Sequence, residues 1–215
     1  YLYYADRVYQ INLAIAGIAV GTVSLPVLSK AFKTKNLKKI SNIQNKSFEL
    51  SLLLSVPASL GLILASEEIV NALFGYGSFS KNDVALTAEA LKYFGFGVPA
   101  FALVKILSNF YFARDNTKTP FYISMFIVIL NIFISVSFFS KIGFIIIPIA
   151  TSISTWIGVF IYLYLLNLKK ALLLKNQLIF NFIKILVSTI LMSLVLLFAL
   201  DSYANYLEYF YKYKA

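Results

Sequence analysis

Apolar residues fall in long blocks along this chain, broken by short polar stretches. About 20 predominantly apolar residues are what an α-helix needs to cross the hydrocarbon core of a bilayer. The pattern predicts six such helices: about Tyr4 to Ser29, Phe48 to Ala65, Leu91 to Ala113, Phe121 to Phe139, Ile142 to Leu166 and Leu178 to Leu200. Between the second and third lies a mixed segment, Ile69 to Ala88. There Gly75, Gly77, Ser78 and Ser80 read as a turn, and Asn82 to Ala90 as the opening of a helix. Pro120 suits a first helical position. Pro26, Pro57, Pro99 and Pro148 fall inside spans, where each removes a backbone hydrogen bond and favours a kink. Such kinks suit a transporter that bends, although proline is in any case commoner in membrane helices than in soluble ones. The aromatic tail Tyr203 to Tyr213 reads as a solvent-exposed end or an interfacial belt.

Composition agrees with this all-α, polytopic membrane fold. The 215 residues are 60% hydrophobic and 13% charged, with a mean hydropathy of +0.81, whereas soluble domains carry roughly a quarter charged residues. Neither cysteine nor histidine is present, which removes disulfides, thiolate metal sites, cysteine nucleophiles and the commonest general base. No phosphate-cradling glycine loop, metal constellation or glycosidase-type carboxylate pair occurs, so no cofactor is expected and an enzyme is the least supported class. The chain starts at Tyr1, already within apolar sequence, and reads as a piece of a longer protein.

The formal charge of +10 does not point to nucleic acid, because the lysines alternate with the spans. Lys30, Lys33, Lys35, Lys38, Lys39, Lys46, Arg114, Lys118, Lys169, Lys170 and Lys175 fall in one set of loops. Only Lys81 and Lys141 fall in the opposite set before the tail. The positive-inside rule makes the first set cytoplasmic, so the first helix runs from outside to inside.

Candidate chemistry is sparse and therefore informative. Of the 19 basic residues only Arg7 and Arg114 are arginines. Asp6 and Arg7 stand at the mouth of the first span, and Asp6, Gln10, Ala14, Gly17 and Gly21 recur at helical spacing, as if on one face. Gly17 and Gly21 make a small-xxx-small pair for close helix approach. Two readings of Asp6 and Arg7 stay open. They line a water-filled cavity, with Arg7 offered to an anionic head group and Asp6 setting its rotamer, or they are an interfacial pair, since Lys30 lies ~35 Å away along a straight helix. Lys105 lies roughly 13 Å inside the third span from Arg114, deeper than snorkelling readily covers, and either faces the bundle or anchors a tilted helix. Lys92 reads as an interface anchor.

The loop Arg114-Asp115-Asn116-Thr117-Lys118-Thr119-Pro120 has turn formers and caps in Asp115, Asn116, Thr117 and Thr119. Arg114 there is a structural residue, a gate partner or a contact for anionic lipid. Asn131, Ser135, Thr151, Ser152, Ser154 and Thr155 read as inter-helix hydrogen-bonding groups, and Trp156 as a packing residue.

The wording of two stretches goes further. Tyr3-Tyr4-Ala5-Asp6-Arg7-Val8-Tyr9-Gln10, continuing through Ala16-Gly17-Ile18-Ala19-Val20-Gly21-Thr22-Val23 to Leu25-Pro26-Val27-Leu28-Ser29-Lys30, closely resembles the eighth transmembrane helix of the MurJ/MviN lipid II flippases. The stretch from Ala90-Leu91 through Gly97-Val98-Pro99-Ala100-Phe101 and Lys105 to Phe110-Tyr111-Phe112-Ala113-Arg114-Asp115-Asn116-Thr117-Lys118-Thr119-Pro120 resembles that family's tenth helix and following loop.

The resemblance implies a fourteen-helix, two-lobe transporter of the multidrug/oligosaccharidyl-lipid/polysaccharide exporter superfamily, in the bacterial inner membrane. Such a protein moves undecaprenyl-pyrophosphate-linked disaccharide-pentapeptide, lipid II, by alternating access. Residues 1–167 would be helices eight to twelve, part of the second lobe, and residues 168–215 a basic loop and helix thirteen, part of a lipid groove. The partners implied are lipid II, the bilayer and an N-terminal lobe of the same protein. The resemblance also implies that Asp6 and Arg7 line the cavity, with Lys105 as a further cavity candidate. The alternatives are a flippase for another polyprenyl-linked glycan of O-antigen type, or a non-transporting membrane scaffold.

Overall fold

The computed structural model describes the backbone of residues 1–214 and the side chains of residues 1–202. The interfacial reading of the aromatic tail concerns side chains outside the described residues. Helix α1 spans Leu2–Lys33, α2 Leu37–Leu64, α3 Ser66–Phe74, α4 Lys81–Phe112, α5 Lys118–Ile142, α6 Ile146–Leu168 and α7 Asn176–Lys214.

Among the described residues five helical stretches are long and apolar enough to cross a membrane, and one of them, Lys118–Leu168, holds two crossings. Drawn straight, it would reach ~75 Å, more than twice the hydrocarbon thickness. It turns back at Gly143, whose φ of 74° favours a residue without a β-carbon. Across the resulting hairpin Asn131 Nδ2 donates to Thr151 Oγ1 at 2.8 Å. The six apolar blocks thus become six crossings.

Helix ends extend past the blocks for local reasons. Ser80 and Asp83 form a reciprocal capping box, with Asp83 N donating to Ser80 Oγ at 3.2 Å and Ser80 N to Asp83 Oδ2 at 2.8 Å. The polar segment from Asn82 and the third apolar block are therefore one helix, α4. Helix α2 starts at Leu37, well before its apolar block, with Asn36 Oδ1 accepting from Lys39 N at 2.9 Å. Pro120 is the third residue of α5 rather than the first. Asn116, not either threonine, satisfies that helix's first turn: its Oδ1 accepts from Thr119 N at 3.1 Å.

Pro26, Pro57 and Pro99 lie inside helices, but Pro148 lies in the first turn of α6, where an N–H has no intrahelical partner to lose. It belongs with the helix starts rather than with the interior prolines. Pro99 leaves the Gly95 carbonyl without its helical donor, and Ser59 Oγ of α2 supplies one at 2.7 Å.

Helix α4 is the hub, buried at most positions from Ala90 to Leu107. Around it stand two apolar cores stacked one after the other along its length. One joins Ala5, Val8, Leu62, Leu91 and Phe94, and the other joins Leu28, Ile40, Phe48, Phe110 and Tyr162. The basic segments meet at one end, where Arg114 Nη2 donates to the Ala171 carbonyl at 2.6 Å and Ser41 Oγ to the Leu173 carbonyl at 2.7 Å. At the opposite end Tyr4 packs on Phe74 and Phe79, and Tyr1 on Phe144. This segregation is what alternating crossings require, and the positive-inside rule assigns the basic end to the cytoplasm.

Candidate functional site

Helix α1 carries the charged pair, and its register is set by a π-helical turn at Ala14–Ala19. In the outer half Ala5 and Val8 are buried; in the inner half Gly21, Ser24, Leu28 and Ala31 are. At about 100° per residue, these sets would point more than a quarter-turn apart on an uninterrupted α-helix. The wider turn absorbs the difference and lets both halves pack on α4. The expected single face through Asp6, Gln10, Ala14, Gly17 and Gly21 is thereby split. Gly17 and Gly21 are buried, Asp6 and Gln10 are half-buried, and Ala14 is exposed.

The glycines do what their spacing suggested. A β-carbon on Gly17 would lie 3.1 Å from the Ala102 Cα, and one on Gly21 would lie 2.8 Å from the Asn109 amide nitrogen. That amide donates to the Gly21 carbonyl at 2.8 Å.

At the outer end, Gln10 bridges the charges. Its amide nitrogen donates to Asp6 Oδ2, while Arg7 Nη1 donates to Gln10 Oε1 at 3.4 Å. The Arg7 guanidinium also sits 4.9 Å over the Tyr3 ring and is exposed on the open side of the helix. Asp6 is turned toward Gln10, so the arginine's fork keeps donors available to an outside acceptor. Tyr9 stacks on Phe94 at 4.7 Å between ring centres and braces the segment against α4.

Lys105 is exposed and lines a groove of about 240 Å³ with Gly17, Ile18, Gly21, Thr22, Leu25 and Asn109. The small glycines open this groove, and Lys105 gives it a positive charge. Arg7 and Lys105 are not brought together, since Arg7 lies roughly 15 Å from Gly17 along α1. They are two positive stations on the same helix pair.

Arg114 is held within the protein. Besides its bond to Ala171, the guanidinium sits 4.6 Å over the Phe32 ring, and half-burial lowers its pKa from the ordinary value. Lys92 is exposed. Asn131, Thr151 and Ser135 form an inter-helix hydrogen-bonded group, as their types suggested. Ser152 Oγ donates to the Tyr93 carbonyl at 2.7 Å, and Trp156 Nε1 to the Phe96 carbonyl at 3.0 Å. Trp156 thus bonds to α4 as well as packing. Lys184, inside the apolar block of α7 and 4.5 Å over the Phe180 ring, is a charged membrane residue that the sequence reading passed over. Its signal was a lone lysine inside an apolar run. Among the described residues no acidic cluster capable of holding a metal occurs.

The fold and this site define a class: a multi-pass α-helical membrane protein with cations placed along one helix seam. The family model for the lipid II flippase MurJ matches residues 1–214, and the chain belongs to that family. A probable lipid II flippase of Rickettsia prowazekii (strain Madrid E) is 39% identical over 155 residues, 72% of this chain and 31% of that protein. One of Rhizobium tropici is 37% identical over 166 residues, 76% of this chain and 31% of the relative. One of Vibrio cholerae is 27% identical over 209 residues, 97% of this chain and 40% of the relative. A solved lipid II flippase in an inward closed conformation superposes with a TM-score of 0.78 at 30% identity, over 91% of this chain and 40% of that one. The chain thus spans well under half the length of the proteins it matches.

Proposed function

We propose that this chain forms part of the second lobe of a lipid II flippase in a bacterial inner membrane, with residues 1–167 as helices eight to twelve and residues 168–215 as the basic loop and helix thirteen. In this reading it moves lipid II by alternating access and neither makes nor breaks a covalent bond. The observation that carries it is the exposed Arg7 guanidinium, bridged to Asp6 by Gln10 instead of being neutralised by it. A pyrophosphate diester is a di-anion whose oxygens match the paired donors of a guanidinium. Lys105 supplies the next cation toward the cytoplasm, in the groove opened by Gly17 and Gly21. The half-buried Arg114 would hold the loops at that end in register while the lobe moves, the form in which it contributes to gating.

The class of cargo is tested by depleting the full-length protein from its own cell and identifying the lipid-linked precursor that accumulates. Accumulated disaccharide-pentapeptide on a polyprenyl pyrophosphate supports the reading. Accumulation of a different lipid-linked glycan contradicts it, and so does no accumulation, which is the outcome a scaffold would give.

A further inference from the structure

A cavity of about 470 Å³ opens at the cytoplasmic end of the seam between α2 and α7, lined by Lys39, Asn42, Lys46, Glu49, Lys175 and Asn181 among others. Three lysines face one carboxylate, and that carboxylate already accepts from Asn181 Nδ2 at 3.0 Å. Lys175 Nζ is steered by Asn42 Oδ1 at 2.5 Å, while Lys39 and Lys46 are exposed. The wall is preformed. Gln44 Oε1 accepts from Leu173 N at 3.0 Å, Asn45 Oδ1 from Lys175 N at 2.9 Å, and Asn45 Nδ2 donates to the Leu173 carbonyl at 2.8 Å. These bonds fasten the α6–α7 loop to the polar first turns of α2, which brings Lys175 to the same cavity as Lys39 and Lys46.

Deeper along the same seam lies a second cavity of about 280 Å³, lined by Leu53, Pro57, Ile185 and Met192 with Lys184 at its margin. Lys184 stands ~12 Å along α7 from Asn176. Its ammonium lies over the ring of Phe180, one turn nearer the cytoplasm. The order along the seam is therefore three cations at head-group depth, a fourth cation below them, then an apolar trough. That order matches an amphiphile with a phosphate head and an acyl chain. Free phosphate would use only the upper cavity.

We propose that the α2–α7 seam is a resident binding site for an anionic phospholipid of the cytoplasmic leaflet, its phosphate held by Lys39, Lys46 and Lys175 and its acyl chain lying past Lys184. The site lies at the opposite end of the bundle from Arg7, and it stands on the membrane fold alone, whatever the cargo.

The test is native mass spectrometry of the full-length protein in detergent, titrated with phosphatidylglycerol, with phosphatidylethanolamine and with inorganic phosphate. The expected result is selective retention of phosphatidylglycerol, weakened about fivefold for each of Lys39→Gln, Lys46→Gln and Lys175→Gln. Ile185→Trp, which fills the trough, is expected to abolish lipid retention. The corresponding Lys→Arg variants keep the charge and must keep the lipid, which controls for damage to the fold. Equal retention of the two lipids overturns the proposal, as does unchanged retention in the triple Lys→Gln variant. Competition by inorganic phosphate at lipid-like concentrations also overturns it and assigns the pocket to a soluble anion.

Discussion

The side-chain amide of Asn109 donates to the main-chain carbonyl of Gly21 at 2.8 Å, joining α4 to α1. Four residues earlier in α1, the neighbour of Gly17 is the backbone of Ala102, which cannot swing aside as an amide can. Gly17→Leu is therefore expected to destabilise the full-length protein by about 1–3 kcal/mol, the usual range for overpacking. Gly21→Ala should cost less, since the Asn109 side chain can rotate away. Thermal unfolding in detergent ranks the two; a larger loss for Gly21→Ala contradicts the packing described.

Ser59 and Pro99 are coupled through a carbonyl that neither owns. The Ser59 hydroxyl serves Gly95 because Pro99 has no N–H to give it. Ser59→Ala should cost about 1–2 kcal/mol in the native sequence, the penalty for an orphaned polar group. In a Pro99→Ala background, where the helical donor is restored, it should cost much less. A double-mutant cycle with no coupling would show that the hydroxyl has some other role.

Arg114 has two partners that lysine cannot serve together, the Ala171 carbonyl and the Phe32 ring. Arg114→Ala is expected to lower stability by about 2 kcal/mol, in the range of a charge-assisted hydrogen bond. Arg114→Lys should recover only part of it. Full recovery by lysine would mean that charge alone matters there.

Asn131 gives the opposite expectation. Its bond to Thr151 crosses the α5–α6 hairpin inside the membrane, where such bonds are worth only about 0.6 kcal/mol on average. Asn131→Leu should leave stability and transport nearly unchanged. A large loss of transport at normal protein level would give Asn131 a direct part in the function.

The crossings were legible in the sequence because a helix in lipid must satisfy its own backbone and present apolar side chains almost everywhere. Less visible was the register within α1. The pattern Asp6, Gln10, Ala14, Gly17, Gly21 keeps α-helical spacing throughout, and the π turn that splits it follows from packing both halves on α4. The early start of α2 was hidden for a related reason. Lys38, Lys39 and Asn42 look like loop, yet they are the solvent side of helical turns whose other side buries Ile40 and Gln44. Arg7 was legible as a rare arginine at a helix mouth, but its link to Asp6 through Gln10 depends on rotamers that spacing does not specify. Lys184 escaped because the surrounding apolar block was strong enough to absorb one charge.

The most direct test of the account replaces Arg7 in the full-length protein and asks whether a strain depleted of its own flippase still builds cell wall. Arg7→Ala should abolish support of growth at normal protein level, and Arg7→Lys should restore it only in part because the paired donors are lost. Undiminished growth with Arg7→Ala would remove this guanidinium from the translocation path and contradict the account.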